Sequence, residues 1–178
     1  PGMLTAKIFR SSIAHGKVTS IQTDKAKELP GVEAVFTYED VPQIKFATAG
    51  HPYALDPAHA DVEDKLILTQ NIRQLGDEIA IVVAEDAITA EKALKLIKVE
   101  YEEFEPLTTS EKVLAPGARP IHGGKNNIVG EHQYECGGDL NESFEKSDVI
   151  VEGEYSTAMV QHLHIENHTA FAYMDDLQ

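Results

Sequence analysis

Residues 159–171, MVQHLHIENHTAF, place His162, His164, Glu166 and His168 at every second position. In an extended chain that spacing puts all four side chains on one face. Three imidazoles and a carboxylate are the ligand types of a zinc site. The geometry argues against one. Neighbouring same-face residues on a strand lie about 7 Å apart, whereas zinc–nitrogen bonds are about 2 Å long. Two such ligands can converge on one ion; four on a straight strand cannot, and the sequence offers no second ligand cluster.

Other residue groups carry weaker chemical signals. Cys136, in ECGGD, is a thiol beside a Gly-Gly turn, and an inert small residue is the expected role. HGGKN (122–126) has the glycines of a phosphate cradle, but no strand-to-helix context supports that use. EYEEFE (100–105) concentrates carboxylates without the interleaved ligands and glycine of a calcium loop, so a solvated strand face is expected. His15, in SSIAHGK, falls at a turn between strands and is expected at the surface.

The elements that would position these residues repeat a strand–short helix–strand pattern. KVTSIQT (17–23) alternates as a strand. TDKAKELPG follows with Thr23 or Asp24 to start a helix and Pro30-Gly31 to end it. VEAVFTY (32–38) is β-branched and aromatic, a second strand. IAIVVA (79–84) is apolar on both faces, as in a strand covered from both sides. Ala90, Ala93, Leu94 and Ile97 then form one helical stripe after a cap at Asp86 or Thr89. KVEYEEF (98–104) is a strand exposed on one side, and the crossover from 79–84 is long enough for a parallel pair. After Asp139 a short helix carries Leu140 and Phe144, followed by a long strand at 148–158 and its hairpin partner at 168–176. The Pro- and Gly-rich stretch APGARPIHGGKNN (115–127) reads as a flexible linker.

Of the 178 residues, 42% are hydrophobic, enough for a packed core. Asp and Glu number 30 against 15 Lys and Arg, a net charge of −15 that disfavours nucleic acid and anionic membrane surfaces. One cysteine excludes an internal disulfide and a self-contained Fe–S cluster, and a reducing, cytoplasmic location is expected. No apolar run is long enough for a membrane span. The chain does not begin with Met and shows no signal-peptide order, so it is expected to start inside a longer reading frame. The segment after the linker would bury little surface alone, which fits either packing back on the first domain or the opening of a larger one.

Three long stretches carry a family resemblance. GMLTAKIFRSSIAHGKVTSI with ELPGVEAVFTYEDVP, then LGDEIAIVVAEDAITAEKALKLIKVEYEEFEPL, resemble the α/β-hammerhead domain of the xanthine dehydrogenase and aldehyde oxidase family. GDLNESFEKSDVIVEGEYSTAMVQHLHIENHTAFAYMDD is similar to the first segment of the molybdopterin-binding domain of the same family. The matches run in order over nearly the whole chain and are weak only at 43–70 and 116–136. The family often has Pro-His at Ser12-Ile13, Glu-Pro at Asp77-Glu78 and Pro at Asn167.

The resemblance implies an α+β fold: a hammerhead domain over 1–115 with a mixed sheet and short crossover helices, a linker over 116–127, and a truncated α+β segment over 128–178. It implies a non-catalytic scaffold fragment of a molybdenum hydroxylase, inactive alone. The full-length parent would oxidatively hydroxylate a purine, another N-heterocycle or an aldehyde, with molybdopterin in the parent and Fe–S clusters and FAD on companion domains or subunits. The family's Gly-rich loop, cofactor-contacting glutamine and late catalytic glutamate are expected downstream. No catalytic, cofactor or metal residue is assigned within this chain. The histidine stretch is implied to be a bend near the buried centre of the parent, with Gln161, His162 and Glu166 as candidate pocket-lining residues. The expected partners are the remainder of the molybdenum subunit, the Fe–S and flavin modules and a small-molecule substrate, with no nucleic acid and no membrane. A stand-alone acidic partner-binding module reusing the same fold is the alternative.

Overall fold

A computed structural model of the chain describes residues 2–48, 55, 62–124, 126–128, 133–160, 162–163, 165 and 168–175. The chain divides into two compact units, Pro1–Glu131 and His132–Gln178. The first contains strands β1 (Thr5–Arg10), β2 (Gly16–Gln22), β3 (Val32–Thr37), β4 (Asn71–Ile72), β5 (Glu78–Ala84) and β6 (Lys98–Glu103). Its helices are α1 (Asp24–Lys27), α2 (Ala87–Leu94) and α3 (Ser110–Leu114).

The strands form two three-stranded sheets, ordered β1-β5-β3 and β4-β2-β6. The α+β class with short crossover helices holds. The parallel component expected of a mixed sheet is absent among the described residues, because every ladder between these strands is antiparallel. In particular, β5 and β6 do not pair. Both edges of β5 are occupied, by β1 and β3, so β6 completes its ladder on β2 in the other sheet. A long crossover permits a parallel pair but does not reserve an edge for it.

The inner face of the β1-β5-β3 sheet packs on α1 and α2. Val35, Ala80, Val82 and Ala84 from the strands meet Ala26, Ala90, Ala93 and Ile97 in one buried cluster. Small alanines on both surfaces let the helices lie close to the sheet. Asp86 caps α2, accepting from the backbone N–H groups of Ile88 and Thr89 at 2.8 Å each. Those bonds, led by that from Thr89, hold its carboxyl below the ordinary aspartate value. At α1, Thr23 occupies the cap position but contributes only its carbonyl. A second cluster, Val18, Ile72 and Ile79, joins the two sheets, and Phe9, Ile21 and Val99 pack against both clusters.

The outer face of β1-β5-β3 departs from expectation. β5 is not covered from both sides: Ile81 and Val83 are only half-buried. The register sets Ile8, Ile81 and Phe36 in one row across the sheet, and Ile8 and Phe36 are 41% and 42% exposed. An apolar row of this kind on a sheet face is unusual for a surface left to water.

The second unit holds α4 (Leu140–Glu145), capped as expected by Asp139, which accepts from the backbone N–H groups of Asn141 and Glu142. The strands expected at 148–158 and 168–176 are not formed over the described residues 148–160 and 168–175. Strand-like alternation creates a strand only where a partner completes its ladder, and the described residues of this unit supply none. Its apolar side chains stay exposed, among them Val149, Val151, Tyr155, Ile165 and Met174.

Candidate functional site

A concave site with convergent polar groups lies within the first unit, where the β4-β2-β6 sheet ends. Register brings Gly16 opposite both Ile72 and Glu103, so the residues flanking these strands, His15, Arg73 and Phe104, gather at one rim. Gly16 permits this convergence: a Cβ there would lie 2.5 Å from the Glu102 carbonyl oxygen and 2.5 Å from Ile13 Cδ1. The turn before it is fixed by Ser11, whose hydroxyl donates to the Ile13 carbonyl at 2.8 Å and accepts from the Ile13 N–H at 3.1 Å.

His15 is buried, at 8% exposure, which corrects the surface role expected from sequence. Its Nδ1 lies 3.0 Å from the Glu105 carbonyl oxygen, and its ring meets Phe104 edge to face at 5.3 Å between centroids. The carbonyl partner and the ring both follow β6, some ninety residues away, and they let an imidazole enter the interior with its polar edge satisfied. The guanidinium of Arg119 lies 3.6 Å from the Phe104 ring centroid on its face, a cation–π contact.

The stretch expected to be a flexible linker is tied down by named contacts. Asn127 accepts from the Ile121 N–H at 2.8 Å and donates to the carbonyls of Val113 and Arg119 at 3.2 Å each. His122 Nδ1 lies 2.7 Å from Arg73 Nη1 and 3.0 Å from Asp64 Oδ2. Arg73 in turn donates to the Asp64 carboxylate at 3.2 Å and to its backbone carbonyl at 2.7 Å. These contacts wall a cleft of about 320 Å³, also lined by Lys45, Leu66 and Pro120.

Beneath the rim lies a charged knot. Glu78 is held by Lys65 and Arg10, each 2.6 Å from a carboxylate oxygen. Burial pushes its carboxyl up, but the hydrogen bonds from Lys65 and Arg10 outweigh it and leave the group below the ordinary glutamate value. Asp77, 2% exposed, accepts from the Arg73 N–H at 2.8 Å and lies 3.5 Å from Lys65 Nζ.

Of the residues singled out from sequence, Gln161 and Glu166 lie outside the described residues, as does His164. His162 and His168 are exposed. Cys136 is exposed. Glu100, Glu102 and Glu103 on β6 are exposed, and Glu105 beyond it pairs with Lys112 at 2.8 Å. Among the described residues no group of three metal-ligating side chains converges, and no helix is long and apolar enough to cross a membrane. The cleft itself was not signalled in the sequence, because its members come from five separate stretches.

Comparison with known proteins gives concordant matches. Residues 1–105 match the model of the aldehyde oxidase and xanthine dehydrogenase a/b hammerhead domain, and residues 121–178 match a molybdopterin cofactor-binding domain. The chain is 46% identical over 98% of its length to the xanthine dehydrogenase molybdenum-binding subunit of Escherichia coli O157:H7, covering 23% of that protein. It is 34% identical over 99% of its length to the nicotinate dehydrogenase large molybdopterin subunit of Eubacterium barkeri, covering 39% of it. Among solved structures, aldehyde oxidoreductase from Desulfovibrio gigas superposes with a TM-score of 0.68 at 28% identity, over 83% of this chain and 16% of that one. The chain thus spans about a quarter of the xanthine dehydrogenase subunit it matches.

Proposed function

The chain belongs to the aldehyde oxidase and xanthine dehydrogenase family, and from that premise we propose that it is the scaffold portion of a molybdenum hydroxylase. On this reading, 1–115 is the hammerhead domain, 116–127 connects, and 128–178 opens the cofactor-binding domain. The whole enzyme hydroxylates a purine, another N-heterocycle or an aldehyde in the cytoplasm. Its molybdopterin is held by the rest of the subunit, and Fe–S and flavin companions carry electrons away. Gln161, His162 and Glu166 are proposed to line the substrate pocket once the remaining polypeptide surrounds them.

The described residues 133–160, within the cofactor-binding domain match, do not fit the cofactor by themselves. A phosphate-bearing pterin needs converging donors and positive charge. Residues 133–160 are all exposed, and they carry Glu135, Asp139, Glu142, Glu145, Asp148, Glu152 and Glu154 against Lys146 as the single base. No reaction step is therefore assigned to this chain.

The observation that carries the proposal is unsatisfied apolar surface in a defined place. The Ile8–Ile81–Phe36 row and the exposed apolar residues of 149–174 suit an element embedded in more protein. The test is Ile81→Lys, made both in the 178-residue chain and in the complete subunit. The isolated chain should lose only about 1 kcal/mol, because Ile81 is half-buried on the face away from the helices. Recovery of assembled, cofactor-loaded enzyme should fall by about tenfold, the effect of about 1.4 kcal/mol at an interface. Normal assembly of the variant would refute the embedding.

A further inference from the structure

The cleft at the end of the β4-β2-β6 sheet has a charge balance opposite to that of the chain. The chain carries −15, yet Lys45, Arg73 and Arg119 line the cleft against the single carboxylate of Asp64. Asp64 is already answered by Arg73 at 3.2 Å. Arg119 and Lys45 have no carboxylate at ion-pair distance among the described residues. Among the described residues, the cleft is therefore left with two positive charges that no carboxylate answers at ion-pair distance.

Arg119 is also held in place. Its guanidinium carbon lies over the Phe104 ring, 3.6 Å from the centroid, its own carbonyl is fixed by Asn127, and Phe104 is braced by buried His15. A planar cation oriented in advance loses little freedom when an anion arrives, and its fork matches the two oxygens of a carboxylate. Beside it the wall turns apolar, with Leu66, Ile72, Pro120 and Ile121. A free phosphate would leave that wall wet; an apolar ligand without charge would leave Arg119 and Lys45 unanswered. The volume of about 320 Å³ sits at the lower end for small-molecule sites, with room for a monocyclic acid. We propose that this cleft binds a small apolar carboxylate, with its head on Arg119 and Lys45 and its body against Ile72 and Ile121. This proposal goes beyond the scaffold reading above.

The test is a titration of the ¹⁵N-labelled 178-residue chain, following the arginine side-chain N–H signals, with benzoate, acetate and inorganic phosphate at constant ionic strength. Benzoate should shift Arg119 saturably with a dissociation constant of about 1 mM, and acetate should bind about tenfold more weakly. Arg119→Gln should weaken benzoate by at least about fivefold, read on the backbone signal of Ile121. Ile121→Ser should weaken benzoate and leave acetate unchanged. Lys45→Gln, at an exposed position, gives a second charge-removing variant that leaves the fold intact. Equal responses to all three anions, a linear response without saturation, or benzoate binding untouched by Arg119→Gln and Lys45→Gln would each overturn the proposal.

Discussion

The two units solve the problem of apolar surface in opposite ways. In the first, Val18, Leu68, Ile79 and Val82 are fully buried, and alternation along each strand is matched by a neighbour in register. In the second, alternation is equally clear in 148–158, yet Val149, Val151 and Tyr155 are 77%, 85% and 92% exposed. The difference is one of partners rather than composition. A strand sequence specifies which faces want covering; the cover comes from another ladder or helix, and the described residues of the second unit supply no ladder and only the short α4, which buries no residue. Among the described residues, the first unit covers its own core, while the second leaves its apolar side chains exposed.

Substitutions can sharpen or break that contrast. The largest effect is expected at Ile79, fully buried between the two sheets. Ile79→Ala should cost about 2–5 kcal/mol in denaturant unfolding, whereas Val151→Ala should change stability by under about 0.5 kcal/mol. Comparable losses at both sites would erase the distinction. Next comes Gly16→Ala, which forces a methyl against the Glu102 carbonyl and Ile13. It should cost about 1–3 kcal/mol by overpacking and should move the NMR signals of His15 and Phe104, because all three share the rim.

A smaller effect should appear with pH. Glu78 is lowered in the folded state by Lys65 and Arg10. Its contribution is therefore fully present above the unfolded glutamate pKa of about 4.3 and is lost as pH falls through the lower folded-state value. Glu78→Gln should remove part of the acid-side loss of stability and cost about 1 kcal/mol near neutrality; an unchanged acid limb would show that the ion pairs contribute nothing. The smallest global effect is predicted for Asp139→Ala. It removes the α4 cap and should reduce helical circular dichroism slightly without shifting the main unfolding midpoint.

The same contrast explains what could be read from sequence. The β2, β3, β5 and β6 segments and the caps Asp86 and Asp139 were legible because period, β-branching and capping chemistry are local. β4, at two residues, is below any period, and α3 sat in a stretch without an apolar stripe. Pairing direction was not legible, since alternation is identical in parallel and antiparallel ladders; hence the false β5–β6 pair. Burial of His15 was missed because its partner is a carbonyl in a distant segment. Asp77-Glu78 carries no local signature, and only Lys65 and Arg10, brought in from other segments, make it a charged knot. The Arg73–Asp64–His122 group has no local signature at all.

Hydrogen–deuterium exchange on the 178-residue chain tests the central claim most directly. Amides of β2, β5 and β6 should exchange with the slow rates of global unfolding, and those of 149–160 should exchange close to the rates of an unstructured peptide. Equal, strong protection across both stretches would contradict the account, because the second unit would then be supplying its own structure.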